Sequence, residues 1–581
     1  MPQIYIYYLS FLLISIHTTP VQAATIDVHV LGLSGDLKKN VEAHLSVIKN
    51  QKLTINNRFY SRIQKIVTKA TKVFGYYEPK IQINLYKSKK NRKEPLLVIT
   101  VTLGEPVIIT DIRVKIQGDA QKDHDYRNLI ADRQPKLGAI LNHWQYENFK
   151  KSLNNLALEK GYFNANYYKN QLKVSVQKHQ AFWDIDYNSG PRYHFGKITF
   201  TGSQLRKEYL YNLRPFKEGS YYTSNQMVEL TRRLSETGWF NSVIVIPEFN
   251  TSNLGAFLQL HGMLRECTES TFTTGIGSSR KIGIHISTIW KKNLINDRGH
   301  SFKAISNISS PEYELIFTYK IPILENPLDK YYLFQGSLQR MSWNNTKTDA
   351  SILTISRYWK NPSGWKKAIN LRWRLEHFTQ DEITNRTMFI YPGISIDRTR
   401  SYGGLMPTHG YSQHYSIDFS DVSWGSYIDF IVFKIENSWI STLKEKNRFI
   451  VHTDLGWIQT HHFEKIPPDM RFFAGGKHSI RGYKYKGLSP RDHNGKVIGA
   501  SKIIIGSLEH QYNLHGRWWI ADFIDIGEVI QDIKQKNIKI SIGFGIRWKS
   551  PLGPIKLDIA RPVNDKRSHS IQLYIGFGPE L

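Results

Sequence analysis

The chain has 581 residues, 40% of them hydrophobic and 13% aromatic, which is long enough for several domains with cores of their own and too apolar for a disordered polymer. A single cysteine, Cys267, excludes an intramolecular disulfide framework and a Cys-based zinc site. The formal charge of +29 raises nucleic acid as a partner, but no compact basic arm stands out, and an export signal points instead to loops, lumen or lipid-facing surfaces.

That signal comes first in the chain. Ile4 to Ile16 is the one long apolar run, followed by Pro20 and the small residues Ala23 and Ala24. Residues 1–24 have the shape of a secretory signal peptide, without the usual basic residue ahead of the apolar run. The alternative is an uncleaved anchor, but the run falls short of the roughly 20 residues a membrane-spanning helix needs. Nothing after residue 24 approaches such a helix, so the remainder is expected to be periplasmic, secreted, or embedded as a barrel.

A repeat with a period of about 80 residues follows. Its punctuation is Gly75-Tyr76-Tyr77, Gly161-Tyr162-Phe163 and Gly238-Trp239-Phe240, each closing a stretch of helical periodicity such as Phe149, Leu153 and Leu156. Glycine suits a helix stop because the residue past the end enters the left-handed region. A second set, Gly32, Gly118 and Gly202, ends alternating strands such as Ile112-Val114-Ile116. The order strand, helix, helix, strand, strand recurs three times, over 25–104, 105–189 and 190–266.

From residue 267 to 581 the texture is period-two alternation. Ile538, Ile540, Ile542, Phe544, Ile546 and Trp548 are separated by polar or small residues, and 369–376 reads Ile-Asn-Leu-Arg-Trp-Arg-Leu-Glu. Pattern alone leaves a soluble sandwich and a barrel lumen open as places for the charged face. Length favours the barrel: with strands of about ten residues this region makes about sixteen. The alternation continues to Ile571, Leu573, Ile575 and Phe577.

The stretch Arg471–Asp492 contains Gly475-Gly476 and then Ile480-Arg481-Gly482-Tyr483. This resembles the signature loop of the outer-membrane superfamily in which POTRA modules precede a β-barrel. Ser507-Leu508-Glu509, Phe523-Ile524-Asp525-Ile526-Gly527 and Ser550-Pro551-Leu552-Gly553-Pro554 with Asp558 match further barrel strands in the same order. The resemblance covers nearly all of the chain after residue 24. It implies three βααββ POTRA modules and an antiparallel transmembrane barrel, and three modules resemble the translocation and assembly module type. It also implies that the loop sits in the lumen with Arg481 on Asp525, Gly482 turning the backbone beside it, and Tyr483 on the lumen wall. The alternative is that Arg481 caps an ordinary turn.

The implied function is insertion or secretion of other outer-membrane proteins, including autotransporter-type clients, with a TamB-like inner-membrane-anchored periplasmic partner at the first module and outer-membrane lipid around the barrel. A two-partner-secretion transporter, a general barrel assembly factor and a passive porin-like channel are the other readings. The seam where the first and last strands meet holds Gly275, Gly277, Ile575, Gly576 and Phe577, and glycine lowers packing within a strand. No Gly-x-Ser-x-Gly elbow, His-Glu-x-x-His motif or phosphate loop occurs, so no catalytic residue or cofactor is assigned. His461-His462 and the pair His510 and His515 lack a third ligand at suitable spacing and are read as solvated or lumenal.

Overall fold

A computed structural model describes the chain apart from residues 1–26, 50–55, 87–94, 250–254, 268, 280–282, 344–345, 381–382, 532–537, 552, 564, 566–570 and 579–581. The expected leader lies outside the described residues.

The first repeat runs strand Asp27–Leu31, helices Gly35–Lys49 and Asn57–Lys72, then strands Lys80–Tyr86 and Leu96–Thr102. The last strand lies between the other two, parallel to the first and antiparallel to the second. Its helices pack Leu45, Ile63 and Val67 onto Val30 and Ile99, the inward positions of the alternating strands. Asn56 caps the second helix by accepting from the Phe59 backbone N–H.

The second repeat has the same order in Ile108–Gln117, His124–Arg133, His143–Lys160, Asn166–Ser175 and Gln180–Asn188, and the same sheet arrangement. Trp183 is its centre, meeting Tyr146 edge-on at 5.1 Å. Gly161 ends the long helix in the left-handed conformation, with φ of 84°, as the repeat's punctuation requires. The third repeat comprises His194–Thr201, Lys207–Tyr211, Ser224–Glu236, Phe240–Glu248 and Phe257–Glu266, again with the last strand central.

Sixteen strands, from Ser270–Ser279 to Gln572–Phe577, then form one antiparallel sheet in which each strand pairs with its sequence neighbours. Which face is inside follows from burial. In the seventh strand, Lys366–Gln380, Asn370 and Glu376 are 3% and 0% exposed while Ile369 is 52% exposed. In the fourteenth, Lys539–Ser550, Arg547 is fully buried and Phe544 is 55% exposed. Polar side chains inside and apolar ones outside is the reverse of a water-soluble sandwich and is the pattern of a barrel in lipid. Among the described residues no helix is long and apolar enough to cross a membrane.

Segments 198–215 and 228–247 of the third repeat belong to the same compact unit as the barrel. Arg206 pairs with Asp297 at 2.6 Å and Arg233 with Asp329 at 2.9 Å, both acids on turns at one end of the sheet. Trp239, from the third Gly-aromatic triplet, donates its indole N–H to the Gly299 carbonyl at 2.9 Å.

Candidate functional site

Between the eleventh strand, Asn447–Gln459, and the twelfth, Lys502–His515, the chain folds into the lumen. Ile466, Phe472, Ile480 and Tyr483 from this connection share one apolar cluster with Phe389, Tyr391, Phe430 and Val432 from the wall. The hydrophobic effect seats the loop; charge determines its pose.

Arg481 lies at the centre. Its backbone N–H and its Nε each donate to Asp525 Oδ2 at 2.9 Å, and its Nη2 reaches Oδ1 at 2.8 Å. Nη1 donates to Glu509 Oε2 at 2.7 Å. The guanidinium carbon lies over the Phe523 ring, 3.3 Å from its centroid. A planar fork that meets one carboxylate with two nitrogens and a second with a third is an arrangement only arginine supplies. The expected pairing of Arg481 with Asp525 is therefore present, and the turn-cap alternative is not what the geometry shows.

The wall opposite the loop is built for close approach. Gly482 has φ of 93°, and a Cβ there would stand 3.0 Å from the Arg561 carbonyl carbon, so both conformation and space require glycine. On the wall itself, a Cβ at Gly527 would meet the Ile504 carbonyl oxygen at 2.5 Å and Ile480 Cδ1 at 3.0 Å. A Cβ at Gly543 would fall 2.1 Å from the Phe523 ring. Gly475, with φ of 106°, passes against the Lys484 carbonyl, and Gly476 packs beside Tyr485. Tyr483 is buried in the cluster as expected.

Several members of the site are assigned no role by the sequence. Arg547 donates to Glu509 Oε1 at 2.8 Å and to Asp558 Oδ1 at 2.5 Å, extending the pair to five charged groups on the loop and four strands. Glu509 and Asp558 lie in stretches that carry the resemblance, but only strand register brings them together with Arg547. Across the lumen, Arg471 donates to Gln380 Oε1 and to three loop carbonyls, and Asp469 pairs with Arg374, itself paired with Glu376. The connection is thus tied to both sides of the barrel. Tyr574, on the last strand, accepts from the Gly482 N–H at 3.0 Å and donates to the Tyr483 carbonyl at 2.8 Å.

Among the described residues no backbone pairing joins the first strand to the last. Ile276 is 77% exposed and Ile575 72%; Phe577 is also exposed. Gly275 has open space where a Cβ would go, and Gly277 pairs with His285 of the second strand. Gly576 differs: the Lys477 side chain of the loop lies over it, 2.9 Å from a built Cβ. A cavity of 480 Å³ beneath the loop is lined by Lys477, Arg481, Glu509, Arg547, Asp558 and others. Among the described residues no group of three or more His, Cys, Asp or Glu side chains is placed to hold a metal. His510 instead faces Asp522 at 3.0 Å.

Residues 327–579 match the Omp85 superfamily domain, 27–103 match POTRA domain TamA domain 1, and 193–256 match the surface antigen variable number repeat, a POTRA model. The chain's C-terminal region is thus an Omp85 superfamily domain, preceded by TamA-like POTRA modules. Its TamA-like POTRA modules lie in the periplasm and its Omp85 barrel in the outer membrane. The barrel and adjoining region are similar to a solved BamA from Haemophilus ducreyi lacking POTRA domains 1–3, with TM-score 0.66 and 15% identity over 81% of this chain and 99% of that one. CdiB from Acinetobacter baumannii aligns with TM-score 0.45 and 12% identity over 94% and 99% of the two chains. A curated relative, the outer membrane protein assembly factor BamA of Nitratidesulfovibrio vulgaris, is 31% identical over 109 residues, 18% of this chain and 14% of that protein. The aligned part is thus a small share of that relative's length.

Proposed function

We propose that the chain is the outer-membrane component of a translocation and assembly machine, which helps insert or secrete autotransporter-type and other outer-membrane proteins. The observation that carries this is the sheet whose first and last strands, among the described residues, have no backbone pairing with each other, beside a lumen loop held by ion pairs. An unpaired edge templates another strand by backbone hydrogen bonding. A client strand that adds to Ser270–Ser279 or Gln572–Phe577 enters the bilayer with its donors and acceptors satisfied, which lipid cannot do for it. The work is strand addition, with no covalent chemistry, so no catalytic residue or cofactor is called for.

In this reading the POTRA modules receive extended client segments on the way in. The first sheet presents Lys80–Tyr86 as an edge strand, a dock of suitable chemistry for a TamB-like periplasmic partner. A plain porin is the weaker reading, because the ion-paired loop occupies the lumen. A two-partner-secretion transporter passes its client through the lumen, which requires the loop to leave; seam-templated insertion does not. Cysteines that lock the first and last strands together separate the two. Seam templating predicts that the locked chain loses insertion of a co-expressed autotransporter and regains it on reduction; full insertion by the locked chain overturns the proposal.

A further inference from the structure

We propose that Tyr574 is a latch that transmits the pose of the lumen loop to the last barrel strand, so that holding the loop holds the seam. The inference rests on the seam reading of function. It starts from where one hydroxyl is placed. Tyr574 sits in the middle of Gln572–Phe577, which pairs on one side with Gly553–Pro562 and has no backbone partner among the described residues on the other. A six-residue strand held on one edge is the weakest-held element of the sheet.

Tyr574 compensates through its side chain. The phenol crosses into the lumen and bonds two successive backbone groups of the loop, accepting from Gly482 N–H and donating to Tyr483 C=O. Both functions of the hydroxyl are used, which fixes its orientation. One residue earlier in the same loop stands Arg481, pinned on Asp525 and Glu509. The loop also covers Gly576 with Lys477. The last strand therefore touches the loop at alternate residues, 574 and 576, which face the lumen together. If the loop leaves Asp525, the acceptor and donor of Tyr574 leave with it.

A tyrosine with an apolar role alone would need no such geometry, and phenylalanine preserves the ring. Tyr574→Phe removes only the two hydrogen bonds. Breaking them raises the fraction of chains with an open seam by about fivefold. Asp525→Asn loosens the loop at its ion pair and acts on the seam through the same hydroxyl, so the two changes together do little more than either alone.

The experiment uses the full chain in detergent and in liposomes, with Cys267→Ser, and spin labels at Ile276→Cys and Ile575→Cys on the outer face of the seam strands. Distance distributions are recorded for the otherwise unchanged chain, Tyr574→Phe, Asp525→Asn and the double variant, each checked for the folded band on a cold gel. A broader, longer distribution in Tyr574→Phe with no further change in the double variant is the expected result. A distribution unchanged by Tyr574→Phe overturns the latch. Additive widening also overturns it, because Tyr574 then steadies its own strand without reading the loop. Client insertion is scored separately: a seam that widens while insertion stays normal leaves the latch standing and removes the seam from the proposed function.

Discussion

Arg481→Met tests the pinning of the loop most directly. The substitution keeps the length and apolar stem of the side chain and deletes the guanidinium. Glu509 retains Arg547 and the Gln511 amide. Asp525 fares worse: it is fully buried, and among the described residues it keeps the Ser507 hydroxyl and the residue 481 backbone N–H as hydrogen-bond donors. Removing one partner of a buried pair costs about 3–5 kcal/mol because the other charge is left without compensation. The released-loop state accordingly gains about two to three and a half orders of magnitude in population, at tenfold per 1.4 kcal/mol. Trypsin cleavage after Lys484 and Lys486, followed by mass spectrometry on the folded barrel, reports that population when opening is fast relative to cutting. The companion variant Arg481→Met with Asp525→Asn also removes the stranded charge and should recover about tenfold of the protection. A single variant as resistant as the unchanged chain, or a double variant cut faster than the single, refutes the reasoning.

Three further outcomes follow from other parts of the molecule. Gly527→Ala places a Cβ 3.0 Å from Ile480 Cδ1 of the loop as well as 2.5 Å from the Ile504 carbonyl oxygen of the wall, and should lift the loop enough to show as faster cutting at Lys484, a cost of about 1–3 kcal/mol. Trp239→Ala empties a buried site and strips the Gly299 carbonyl of its donor, so the unfolding midpoint of the unit containing the barrel falls by the equivalent of about 3–5 kcal/mol. In the second module, burial works to raise the Asp123 carboxyl, but hydrogen bonds from Lys160, the Asp125 N–H and Tyr162, with the Lys160 charge, outweigh it and hold the group below its ordinary range. A depressed carboxyl stabilises the fold above its unfolded pKa of about 3.9 and loses that contribution as pH falls through the lower folded value. Hydrogen exchange over His143–Lys160 should show protection falling below about pH 4, and Asp123→Asn should flatten that dependence; equal slopes in both chains refute the assignment.

The parts legible in sequence are those written in local period. Gly75, Gly161 and Gly238 announce helix ends because only φ near +80° is compatible with the turn they make, and all three have it. The sixteen strands follow from length divided by strand size. What alternation cannot say is which face is inside: Ile369-Asn370-Leu371 reads the same in a sandwich and in a barrel, and only the burial of Asn370 and Glu376 decides. The Arg481–Asp525 contact was legible through a resembling motif. Arg547, Glu509 and Asp558 lie on three different strands, and register alone places them together. Tyr574 gives no signal at all in an alternating strand, since a lumen-facing tyrosine and a girdle tyrosine have the same sequence context.

The chemistry of the site bears on why the loop is held by charges when apolar packing is available. Arg481 and Arg547 face Glu509, Asp525 and Asp558, and the group borders a cavity of 480 Å³. Taking such ions out of water costs nearly as much as their mutual attraction returns, so the intact network adds modest net stability while any single deletion is expensive. That asymmetry specifies one pose sharply without making the pose deep. An apolar plug of equal area would resist leaving, since its departure exposes hydrocarbon to water. Charged groups released next to a lumen cavity regain hydration, which offsets part of the broken pairs. Under the latch proposal, a loop that holds one pose at rest yet can be shifted from it is better served by the second arrangement. The hydroxyl of Tyr574 brings the last strand under the same arrangement, with two hydrogen bonds to the loop.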